Sequence, residues 1–221
     1  MRSPIIKYHT RILQRRLDKL LFVLEVIRDL DEAIDQVCEA LTEEEQKDPF
    51  AEDLCPYFGV LWPAAEALSV FLSQNSELVK GKKVLELGCG LGYPSLVAKK
   101  LGAEVLATDF HPQVEEFFLR NCRHSNLKCD YKRLNWREGT DEIGLFDVVM
   151  GSDVLYESKH PKEVVQGLLR FVKPGGHILL SDPGRNYLQQ FINAMNADGH
   201  QENMSTIEVD KKEIFIFRFD I

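Results

Sequence analysis

The chain has 221 residues, of which 27 are basic and 35 acidic, for a formal net charge of −8. Apolar side chains make up 44% and charged ones 28%, which excludes a disordered chain, a collagen-like chain and a disulfide scaffold, and suits one domain with a small accessory segment. A pI near 5.3 disfavours a general nucleic-acid binder, which neutralises phosphates with clustered Lys and Arg. No apolar run approaches the roughly 18–20 residues that span a bilayer, so no membrane partner is expected. Arg2, Lys7, Arg11, Arg15 and Arg16 interrupt the place of a secretory signal. The cysteines (Cys38, Cys55, Cys89, Cys122 and Cys129) are odd in number and form no C-x-x-C pair, so reduced thiols in the cytoplasm are the simplest expectation.

In chain order, residues 1–50 read as a helical N-terminal segment and residues 51–221 as the main domain. Leu13, Leu17, Leu20, Leu24, Ile27, Leu30, Ile34, Val37 and Leu41 follow each other in steps of three and four, the spacing of a helix face. Asp29 or Asp31 could cap a second helix, so one long helix and a pair both fit. Thr42 and Glu45 have the spacing of a capping box, and Pro49 closes the region. Residues 1–28 carry net +5 and residues 29–53 net −10, which reads as solvated faces, a partner-binding arm or an amphipathic targeting segment.

Beyond Phe50, strands and helices alternate. Strands are expected at Lys83–Leu87, Glu104–Thr108, Lys128–Leu134, Phe146–Met150, His177–Ser181 and Glu213–Ile221. Helices are expected at Tyr93–Leu101, Val114–Asn121, Lys162–Val172 and Tyr187–Ala197. This is the pattern of βαβ units: an α/β, Rossmann-like, doubly wound and mostly parallel seven-stranded sheet, ending in an antiparallel strand at the carboxyl terminus.

The sharpest signal is Glu86-Leu87-Gly88-Cys89-Gly90-Leu91-Gly92, directly after a strand and before a helix. Glycines there allow a tight turn and close approach of a ligand to the main chain. The dinucleotide fingerprint would put a third glycine at position 93, which is Tyr93, and the acid at Glu86 would repel a pyrophosphate. NAD is therefore disfavoured. Asp109 closes the next strand, 17 residues past Gly92, where an acid can accept hydrogen bonds from both hydroxyls of an adenosine ribose.

This pair resembles motifs I and II of the seven-β-strand, S-adenosylmethionine-dependent methyltransferases. Pro56-Tyr57-Phe58-Gly59-Val60-Leu61-Trp62-Pro63-Ala64 resembles the W-P segment ahead of motif I in family 16 of these enzymes, which includes many protein lysine methyltransferases. Leu134-Asn135-Trp136 resembles that family's adenine-side D-W segment, with Asn135 in place of the acid. Ser152-Asp153-Val154-Leu155-Tyr156 resembles its D-x-x-Y segment, and Ser181-Asp182-Pro183-Gly184-Arg185 a D-P-G-R run of lysine methyltransferases within it.

The resemblance implies S-adenosylmethionine as cofactor. Glu86 would attract its amino-acid end, directly or through water, and Gly88, Gly90 and Gly92 would contact it through the main chain. Asp109 would hold the ribose and Asn135 the adenine edge. Trp136 would pack on the adenine or in the core, Trp62 would wall the cleft or sit in a lid, and Ser152 falls on the cofactor side. Asp153 would orient the acceptor and Tyr156 line its channel; a structural cap and plain packing are their alternatives. His111 reads as a loop residue near the cofactor, and Arg185 as a solvated turn residue. No metal is required, because methyl transfer is an in-line displacement. The implied reaction methylates a protein lysine amine. The alternatives are a small-molecule N- or O-methyltransferase, and a non-catalytic adenosine-binding protein. A protein substrate is expected; a nucleic acid is not.

Overall fold

The computed structural model describes residues 6–42, 54–137 and 143–221. Their main sheet has seven strands: β3 (Lys83–Leu87), β4 (Glu104–Asp109), β5 (Asp130–Arg133), β6 (Phe146–Ser152), β7 (Val172–Asp182), β8 (Glu202–Val209) and β9 (Lys212–Asp220). The order across the sheet is β5-β4-β3-β6-β7-β9-β8. β3 to β7 run parallel, and β9 joins β7 antiparallel with β8 on its outer edge. The expected sheet is present, and its antiparallel end is a β8–β9 hairpin whose two-residue turn, Asp210-Lys211, has positive φ at both residues.

Strand residues alternate between two apolar layers. Val84, Val148, Met150 and Leu179 face a core shared with helices α2 (Pro63–Gln74), α3 (Tyr93–Lys100) and α4 (Val114–His124). Leu85, Leu87, Val149, Ile178 and Leu180 face the other core, filled by α5 (His160–Phe171) and α6 (Leu188–Ala197). Burial on both faces explains why these strands read as nearly continuous apolar runs. The topology turns at β3: the chain builds outward to β4 and β5 on one side, and to β6 and β7 on the other. The crevice at the carboxyl ends of the strands around such a point is where open α/β sheets bind ligands.

The N-terminal segment corrects the sequence reading. Thr10–Leu17 (β1) and Leu20–Ile27 (β2) form an antiparallel hairpin, and only α1 (Leu30–Ala40) is helical. The three-four spacing misled because Leu20-Leu21-Phe22-Val23-Leu24-Glu25-Val26-Ile27 is apolar at almost every position and fits a period of two equally well. Phe22, Leu24 and Val26 are the buried face. The turn is Asp18-Lys19, with Asp18 left-handed at φ 49° and no glycine to announce it. Asp29 does cap α1, its Oδ1 accepting the N–H groups of Asp31 and Glu32 at 3.0 and 3.1 Å. The expected capping box at Thr42 and Glu45 extends outside the described residues.

The hairpin packs against α4 rather than standing free. Glu25 N–H donates to Asn121 Oδ1 at 2.6 Å, Val23 N–H donates to Ser125 Oγ at 3.2 Å, and Arg120 pairs with Glu25 at 2.8 Å. These buried side chains satisfy the edge of β2 that β1 does not reach. Arg15 pairs with Glu66 on α2, and Phe22 meets the edge of Tyr93 on α3, their centroids 5.4 Å apart.

Candidate functional site

A cleft of about 940 Å³, its open mouth included, lies over the carboxyl ends of β3, β4 and β6. Of the eleven residues singled out from sequence, Trp62, Gly88, Gly90, Gly92, Asp109, Asn135, Trp136, Ser152, Asp153 and Tyr156 line it. Five separate segments of the chain converge there.

The glycine loop forms its floor. Gly88, Gly90 and Gly92 have φ of 67°, 48° and 77°, left-handed conformations that a Cβ would strain. Space is also short at Gly92, where a Cβ would stand 2.2 Å from the ring of the buried Phe118. Replacing Gly92 with alanine should therefore cost about 2–3 kcal/mol of stability, from the backbone and the overpacked ring together. Urea unfolding measures it, and an unchanged midpoint would refute the packing argument.

Asp109, the last residue of β4, holds this loop from the side. Its Oδ2 accepts Gly90 N–H at 3.0 Å and its Oδ1 accepts His111 N–H at 2.9 Å. Each carboxylate oxygen keeps a second lone pair for a ligand hydroxyl. Burial pushes the Asp109 carboxyl up, opposed by the N–H groups of Gly90, His111 and Phe110 and by Arg133.

Glu86 stands apart from the other ten. It does not line the cleft. Its side chain is fully buried beneath the loop, where it accepts both the N–H and the hydroxyl of Ser95 in the first turn of α3, while its Oε1 has no hydrogen-bond partner among the described residues. Burial raises its pKa from 4.5 to about 8, more than the two Ser95 bonds lower it. The pleat of β3 is the reason: Leu87 points into one core, and Glu86 points to the opposite, α3 side.

A stability signature follows. Below pH 4.5 the carboxyl is protonated in both folded and unfolded chains. Between 4.5 and about 8 only the unfolded chain ionises, so this group's contribution falls as pH rises. Glu86→Gln stays neutral throughout. Relative to wild type, its stability should rise by a few kcal/mol between pH 5 and pH 8.5 in urea unfolding; a constant difference would show that Glu86 is ionised in the fold.

The walls are aromatic. Trp62 caps α2 and donates its indole N–H to Tyr57 O at 2.9 Å. Trp136 packs on the glycine loop: a Cβ at Gly88 would lie 3.2 Å from its Cζ3. Asn135 Oδ1 accepts Arg137 N–H at 3.1 Å, which fixes the turn after β5. His111, read from sequence as a loop residue, is buried on the cleft wall. Its Nδ1 accepts Gln113 N–H at 3.1 Å, so Nε2 is the protonated nitrogen and donates to Leu54 O at 3.2 Å. Phe58 packs against His111, centroids 4.4 Å apart, and is buttressed by Tyr8 and Phe117. Phe58 and His111 lacked a sequence signal of their own; the W-P segment and the closeness of His111 to Asp109 were the only pointers.

At the mouth, Ser152 ends β6 and Asp153 follows with φ 56°. Asp153 is buried; its N–H donates to Ser181 O at 2.9 Å, and its carboxylate is ion-paired with Arg185. Tyr156 is 44% exposed, edge-on to His160 with centroids 4.5 Å apart, and 6.4 Å from Tyr57. Tyr57, Tyr156 and Asp153 all line the cleft.

This fold and site are those of the Rossmann-like, S-adenosylmethionine-dependent methyltransferases. The structure of the Thermus thermophilus 16S rRNA methyltransferase RsmC in complex with AdoMet and guanosine matches with a TM-score of 0.65, covering 98% of this chain and 52% of that one at 17% identity, a likeness of fold. The sequence profile of the lysine methyltransferase family matches residues 52–198, and the chain belongs to that family. It is 35% identical over 133 residues to the electron transfer flavoprotein beta subunit lysine methyltransferase of Xenopus laevis, covering 59% of this chain and 53% of that protein. It is 34% identical over 130 residues to the protein N-lysine methyltransferase METTL21A of Danio rerio, covering 55% and 59%. The chain thus spans about half the length of the curated relatives it matches.

Proposed function

We propose that this protein binds S-adenosylmethionine in the cleft above the glycine loop and transfers its methyl group to a lysine amine of a protein. The observation that carries the proposal is the convergence of Asp109, the left-handed glycine loop and the Trp62–Trp136 walls on one cleft that Asp153, Tyr57 and Tyr156 also line. The donor set suits the cofactor. Asp109 has lone pairs for ribose hydroxyls, Asn135 has an amide for a base edge, and the indoles give apolar surface for a ring.

The cofactor supplies an electrophilic methyl on a sulfonium. The chain's own work is alignment and exclusion of water. The rim of Tyr57 and Tyr156 would admit a narrow, extended side chain and strip water from it. An amine is nucleophilic only when neutral, and a free lysine has a pKa of about 10.4. Leaving water for an aromatic channel lowers that value. Asp153 would accept a hydrogen bond from the amine and hold its lone pair along the line of attack. Membership of the lysine methyltransferase family supports a lysine acceptor, and the similarity to the electron transfer flavoprotein enzyme makes that β subunit the first acceptor to try. Five cysteines, none of them in a disulfide, support a reducing compartment such as the cytoplasm.

The test is incubation of the purified protein with S-adenosylmethionine and recombinant electron transfer flavoprotein β subunit, followed by peptide mass mapping. Added mass in steps of one methyl group on lysine, dependent on the protein, is the expected result. Methyl groups appearing on a small molecule or on another residue type, with none on lysine, would overturn the acceptor assignment.

A further inference from the structure

Arg185 does not line the cofactor cleft, yet its guanidinium binds the carboxylate of Asp153 through Nε. Its placement is tightly determined. Asp182, fully buried at the end of β7, accepts the N–H groups of both Gly184 and Arg185 on Oδ1, each at 2.7 Å. The carbonyl of Arg185 accepts Leu188 N–H at 3.0 Å as α6 begins. The backbone of Arg185 is thus fixed on both sides before its side chain reaches out. Asp153 is gripped twice by the same run, its N–H by Ser181 and its carboxylate by Arg185. That grip holds a residue with φ 56°, a conformation disfavoured for any residue but glycine and tolerated best by Asn and Asp. The pair engages Oδ1 of Asp153; Oδ2 has no hydrogen-bond partner among the described residues.

We infer that the Ser181–Arg185 run is the brace of the acceptor site: Asp182 sets the turn, and Arg185 fixes the Asp153 carboxylate through Oδ1, leaving Oδ2 for the incoming amine. This rests on the methyltransferase reading above and extends it to residues that touch neither cofactor nor acceptor methyl. A buried carboxylate held by no partner would be free to turn away from the amine in search of one. The guanidinium prevents this without entering the cleft. Arg185 joins Leu155, Tyr156, Asn186 and Tyr187 around a second cavity, beside Tyr156.

The experiment is a double-variant cycle of Arg185→Met and Asp153→Asn, with Arg185→Lys as the conservative variant. Transfer to the β subunit, S-adenosylhomocysteine affinity and urea midpoints are measured for each. Arg185→Met should lower kcat roughly 10- to 100-fold and leave S-adenosylhomocysteine affinity within about twofold. Arg185→Lys should recover part of the loss. The double variant should be no slower than Asp153→Asn alone, because both changes remove one interaction. Wild-type kcat in Arg185→Met would overturn the inference, as would losses that multiply in the double variant or a fall in cofactor affinity as large as the fall in kcat. A wild-type protein that transfers methyl neither to the β subunit nor to proteins of a cell lysate would instead remove the protein-acceptor reading, and the brace with it.

Discussion

Asp153→Asn should lower the rate of methyl transfer at least about 100-fold while leaving S-adenosylhomocysteine affinity within about twofold. The substitution is chosen for its backbone. Asp153 sits at φ 56°, where asparagine is as well tolerated as aspartate and alanine is not, so the local fold should survive. What changes is charge. The variant presents an amide where the acceptor amine meets a carboxylate, and Arg185 loses its ion-pair partner. Two decades in rate correspond to about 2.7 kcal/mol, within the range of a charge-assisted hydrogen bond made in a site sheltered from water. Single-turnover kinetics with calorimetry on the same preparation measures both quantities. Equal loss of rate and of cofactor affinity would mean that Asp153 shapes the cleft rather than orients the acceptor.

Asp109→Ala is expected to act in the opposite way, lowering cofactor affinity at least about tenfold, or ~1.4 kcal/mol. Its carboxylate has two duties. It accepts the N–H groups of Gly90 and His111, and it would accept the ribose hydroxyls with its remaining lone pairs. Alanine removes both, leaving two N–H groups unpaired beside a loosened glycine loop. Calorimetric titration with S-adenosylhomocysteine reads the loss, and affinity equal to wild type would remove Asp109 from the ribose role.

The parts of this molecule legible in its sequence are those where one local pattern admits one structure. A glycine run between an apolar strand and a helix, with an acid closing the next strand, fixed the position of the cleft, because left-handed turns need glycine and β3 and β4 are neighbours in such sheets. Asp29 as a cap and the last strand at the carboxyl end were legible as well. The hairpin of β1 and β2 was not, because Leu20–Ile27 is apolar throughout and satisfies both periods; its choice of strand depends on Asn121, Ser125 and Tyr93, about a hundred residues away in two cases. Glu86 was recognised as special, but its burial beneath the loop was not legible, since a strand's sequence does not say which face an isolated acid will take. Arg185 looked like a solvated turn residue because its partner, Asp153, lies 32 positions earlier in the chain and meets it only across the edge of the sheet.

The central claim is that the cleft over Gly88–Gly92 is the S-adenosylmethionine site, and calorimetric titration with S-adenosylhomocysteine, with NADH as the parallel control, tests it most directly. The account predicts one site of micromolar affinity for the first ligand, at least tenfold weaker in Asp109→Ala, and no heat from the second. Absence of S-adenosylhomocysteine binding by a folded protein, or tighter binding of NADH, would contradict it.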